Sequence, residues 1–152
     1  MNTSIIRGLC FGLTSAVITT LGLMIGLFSA SATRSIIIVG ILTIAIADSL
    51  SDAFGMHVSE ESFVKSHKNV WKATGATFFT KFFFALTFII PILFFDLDKA
   101  VLINIIYGLI LLVVFNYHLA KLRKINVYKT ILEHISIAIV VIISTYFIGK
   151  II

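Results

Sequence analysis

Apolar residues run along this chain in five long blocks separated by short polar breaks. A helix that crosses the hydrocarbon layer of a bilayer needs about 20 mostly apolar residues. Every block reaches or nearly reaches that length. The pattern predicts an all-α membrane protein of one domain, residues 1–152, with five spans at 5–30, 36–54, 73–95, 100–117 and 131–150. The second span is expected to continue as a cytoplasmic helix to about residue 68. The breaks at 31–35 and 96–99 are short enough to force hairpins, so spans one and two, and three and four, should be antiparallel neighbours.

Composition agrees with the pattern. The chain is 59% hydrophobic and only 12% charged, with a mean hydropathy of +1.11. A soluble domain carries about 25% charged residues, so there is too little charge here to coat a water-exposed surface. The expected surroundings are a lipid bilayer. A net charge of +5 is read as loop charge that sets orientation, and no nucleic-acid partner is expected. Arg7, Lys65, Lys68, Lys72, Lys121, Arg123, Lys124 and Lys129 fall on one side of the predicted topology, against Arg34, Lys99 and Lys150 on the other. Positive residues favour the cytoplasmic side, so the N-terminus is expected there. The membrane would be the plasma membrane in a prokaryote and a vacuolar-type membrane in a eukaryote. The apolar stretch Gly8 to Phe28 is longer than the 7–15 residues usual in a signal peptide, so the first block is expected to remain as a span. The lone Cys10 excludes an internal disulfide. No H-E-x-x-H, C-x-x-C, G-x-S-x-G or P-loop is present, and no enzyme is expected.

In the first span, Gly8, Gly12, Ser15, Thr19, Gly22 and Gly26 recur at steps of four and three and share one helical face. Lipid gives helices no hydrophobic drive to associate, so close approach through small residues is what joins them. Gly8, Gly12, Gly22 and Gly26 are a candidate homodimer seam, or else a face packed against the second span. Ser15 and Thr19 are candidate pore-lining hydroxyls.

The second span carries Asp48 and Asp52, four apart, with Met56 four further on. An intramembrane carboxylate costs about 3 kcal/mol on insertion scales and is read by default as functional. A bound cation, raised pKa values or Lys81 of the third span could compensate the pair. Hard carboxylate oxygens with a soft thioether suit a borderline divalent transition ion. Asp48, Asp52 and Met56 are therefore the candidate metal ligands, with Asn104 of the fourth span as a further pore-lining group. His57, Glu60 and Glu61 form a candidate cytoplasmic cation funnel. The competing reading pairs the aspartates with Lys81 in a membrane scaffold that transports nothing.

These residues resemble the vacuolar iron transporter family. The likeness rests on Gly12-Leu13-Thr14-Ser15-Ala16-Val17-Ile18-Thr19-Thr20-Leu21-Gly22-Leu23 with Gly26, on Ala47 through Ser59, on Ile90-Pro91, and on Ser144-Thr145-Tyr146-Phe147-Ile148-Gly149. The resemblance implies a five-helix homodimer that moves ferrous iron or manganese out of the cytoplasm in exchange for protons, with the metal as cargo and no tightly bound cofactor. The chain departs from the family pattern at the site itself. Ser15 stands where the family has an intramembrane aspartate, Asp52 at the family methionine and Met56 at the family glutamate. The family's cytoplasmic metal-binding insert is missing, which marks a short, divergent member.

Overall fold

The structure, a computed structural model, describes residues 3–152. Five long helices account for it: α1 (Thr3–Ser29), α2 (Arg34–Phe63), α3 (His67–Phe94), α4 (Leu97–Arg123) and α5 (Val127–Ile151), each long and apolar enough to cross a membrane. No strand occurs among the described residues. The helices overrun the apolar blocks at several ends, because hydropathy marks only the lipid-bathed part of a helix. Thus α3 starts at His67 and α4 runs to Arg123, through polar residues that suit a helix once it leaves the lipid. The expected extension of the second helix to about residue 68 is corrected: α2 stops at Phe63, Val64 is extended, and the loop before α3 is 64–66.

The core follows from the small residues of α1, the most enclosed of the five helices. Its Leu13, Val17, Leu21 and Met24 are buried against Ile37 and Ile41 of α2, Phe88 and Ile92 of α3 and Leu112 of α4. The row of glycines is consumed in making this contact. A Cβ on Gly8 would collide with the carbonyl oxygen of Ala73, and one on Gly12 would lie 2.7 Å from that of Thr77. Further along α1, Gly22 faces Val141 and Gly26 faces Thr145, both on α5. All four glycines, expected at a dimer seam or against the second span, therefore meet α3 and α5 of their own chain instead. The correction has a simple cause. Spacing shows that one face of a helix is small, but not which helix lies against it.

The outside of the bundle is apolar, as lipid contact demands. Val39, Phe79, Phe83, Leu93, Ile110 and Val140 are all exposed.

Two irregularities shape the interior. Residues Ile44–Asp48 of α2 form a π-helical turn, the kind of bulge that often occurs at functional positions. It ends on Asp48. In α3 the helix breaks at Phe88, three residues before Pro91. Proline has no N–H for the carbonyl one turn back and clashes with it. The break is braced from α4: Asn104 Nδ2 donates to Phe88 O at 2.9 Å and Tyr107 donates to Thr87 Oγ1 at 3.0 Å.

Candidate functional site

The densest polar contact in the bundle joins α1, α2 and α3. Lys81 of α3 is completely buried, and its Nζ donates to Asp48 Oδ2, to Asp52 Oδ2 at 2.5 Å and to Ser15 Oγ at 2.8 Å. Ser15 in turn donates to Asp52 Oδ2 at 2.6 Å. An ammonium has three N–H donors, and here three oxygens receive them. Two carboxylates and one ammonium leave the cluster with a formal charge of −1.

The cluster is not sealed. The Asp48 side chain is 36% exposed and that of Asp52 20% exposed. Asp48 lies fourteen residues into α2 from Arg34, which is about 21 Å along the helix and so within the thickness of a ~30 Å apolar layer. Asp48 is thus partly open at the outside of this chain.

Met56 does not join the aspartates. Each step of four residues overshoots a full turn by about 40°, so Met56 is rotated away from Asp48. It lines a separate basin of about 560 Å³ at the end of the bundle that holds Arg7. Cys10, Glu60, Glu133, His134 and Arg123 share that basin. Glu60 is buried and its Oε1 pairs with Arg7 at 3.1 Å, while its Oε2 has no hydrogen-bond partner.

The three expected funnel residues are dispersed. Glu60 is in the basin and Glu61 is exposed. His57 lies against α3, with its Nδ1 3.0 Å from Thr74 Oγ1 and its ring 4.7 Å from that of Trp71. The candidate pore groups are dispersed too. Ser15 belongs to the Lys81 cluster, Thr19 donates to Ser15 O of its own helix at 2.8 Å, and Asn104 is buried beside Met24 Sδ and Phe88 O. Among the described residues no group of three His, Cys, Asp or Glu side chains is placed to hold a metal.

The Arg7–Glu60 pair and the basin around it were not anticipated from the sequence. The signal available was topological: an N-terminal arginine and the far end of the second span share one side of the membrane.

Five helices long and apolar enough to cross a membrane, three of them joined by a charged cluster, define an integral membrane protein. Residues 56–150, more than half of the chain, match the VIT family, and the chain belongs to that family. Membership places it among membrane proteins of metal-ion transport. The matched stretch contains Lys81 and begins after Asp48 and Asp52. No match is found among curated proteins.

Proposed function

We propose that this chain carries a divalent transition-metal ion, ferrous iron or manganese, across its membrane in exchange for protons, and does so as a homodimer. The observation that supports this reading is the half-open acidic pair on α2, with Asp48 36% and Asp52 20% exposed at membrane depth. Their contacts to Lys81 and Ser15 run through Oδ2, so in this reading Lys81 holds the oxygens that an ion would take. A carboxylate has to be free of its proton to bind a divalent cation, so metal loading and proton release belong together in this proposal. A second copy laid over the acidic face would shield Asp48 from lipid. In this reading Met56 and Glu60 form the next stop along α2, in the basin, and the N-terminal end is the cytoplasmic one.

One observation favours the second reading, a scaffold that does not transport. Lys81 is wholly buried and engages both aspartates, as a purely structural ion pair would.

Manganese uptake into proteoliposomes separates the two. Transport predicts uptake by the native chain that depends on a proton gradient and is lost in Asp48→Asn. Equal uptake by the native chain and Asp48→Asn would overturn the site, and no uptake by the native chain would favour the scaffold.

A further inference from the structure

Lys81 occupies the place a cation would take. Its ammonium is enclosed by Asp48 Oδ2, Asp52 Oδ2 and Ser15 Oγ, oxygens supplied by two helices other than its own. The lysine stem is fully buried, so the charge is delivered into the cluster by a side chain that itself never leaves the protein.

We propose that Lys81 is a tethered counter-cation that a divalent ion has to displace, and that it thereby sets which ions the acidic pair accepts. The inference rests on the transport reading above. With Lys81 in place the cluster carries a charge of −1, which is matched by one further positive charge. A divalent ion held by the same Oδ2 atoms would lie within about 4 Å of the ammonium, where two like charges in a poorly screened interior repel strongly. The ion and the ammonium therefore exclude each other. A divalent ion gains the full −2 of both carboxylates only after the ammonium has swung away. When the ion leaves, the lysine returns and neutralises carboxylates that would otherwise be left bare in the membrane, where unpaired charge is costly. The four-carbon stem of lysine, with three rotatable donors at its tip, suits a group that has to move out and back.

Two measurements test this. In the first, the native protein in detergent is treated with an amine-acylating reagent, with and without manganese, and labelling is read residue by residue by mass spectrometry. Lys81 should be nearly unreactive without metal and several-fold more reactive with it. Lys99, whose side chain is 73% exposed, should be unchanged. In the second, Lys81→Gln keeps a hydrogen-bond donor and drops the charge. The manganese concentration that gives half-maximal thermal stabilisation should fall by about tenfold or more, since a competing unit charge is removed. Stabilisation by manganese with no rise in Lys81 labelling, or an unchanged or higher half-maximal concentration in Lys81→Gln, overturns the displacement and leaves the transport reading standing. Absence of any manganese effect on either protein overturns both. If Lys81→Gln does not fold, the labelling of the native chain decides.

Discussion

Lys81 Nζ lies 2.5 Å from Asp52 Oδ2, with the lysine side chain fully enclosed and the aspartate open to the outside over a fifth of its surface. This asymmetry decides what each substitution does. Removing the lysine strands two carboxylates, while removing one aspartate leaves the lysine with the other. Breaking a buried pair from one side costs about 3–5 kcal/mol. Lys81→Met is expected to lower unfolding stability in detergent by that amount. Combining it with Asp48→Asn and Asp52→Asn should restore most of the loss, because no uncompensated charge then remains. Equal stability of Lys81→Met and the native chain would show that the cluster does not hold the helices together.

The glycines make a second prediction by contrast. Gly12 has the carbonyl oxygen of Thr77 2.7 Å from where its Cβ would sit, whereas nothing lies within 4 Å of that position at Gly75. Gly12→Ala should force α1 and α3 apart and cost about 1–3 kcal/mol, as overpacking does. Gly75→Ala should stabilise the chain by up to about 1 kcal/mol, the helix preference of alanine over glycine. Thermal unfolding of both variants checks the pair. Light scattering should show neither variant changing the oligomeric state, because Gly12 packs within the chain.

How much of this could be read from the sequence depends on the kind of contact. The five spans were legible, since length and apolarity alone define them. The acidic pair on α2 was legible because two carboxylates four residues apart must share a face, and Lys81 stood out as a charge inside an apolar block. Their pairing with Lys81 across helices was legible as one of the alternatives, and the structure makes that contact; the other partners across helices were not legible. The glycine row revealed that α1 has a small face but not that its two ends meet α3 and α5. Met56 fell in series with Asp48 and Asp52, yet the 40° drift at each step turns it into the basin with Glu60. The π turn that ends on Asp48 left no mark in the residue pattern at all.

Asn104 gives a third prediction. Its Nδ2 donates to Phe88 O and approaches Met24 Sδ at 3.2 Å, inside the packed core. The site of contact is the break in α3 at Phe88. Asn104→Leu keeps the branched four-atom skeleton of the side chain and removes the brace, and should cost about 1 kcal/mol or more of stability, from the lost interhelical hydrogen bond and the larger methyl groups. Metal flux per folded molecule should be unchanged. A selective loss of flux at full stability would instead return Asn104 to the ion path.

The fourth prediction concerns the other charged contact between helices, Arg7 with Glu60 at 3.1 Å. The two partners are unequal: the arginine side chain is 40% exposed and the glutamate 4%. Arg7 can turn to water when its partner is lost, so Glu60→Gln should change stability by less than about 1 kcal/mol, as an exposed pair does. Glu60 has no such exit, and its Oε2 already lacks a hydrogen-bond partner. Arg7→Met should therefore be the more damaging change, by about 3 kcal/mol. Adding Glu60→Gln to Arg7→Met should recover most of that loss, since the stranded charge is gone. Denaturant unfolding of the three variants in detergent measures the cycle. Equal effects from the two single substitutions would mean that Glu60 reaches water through the basin, so that the pair is not buried on either side.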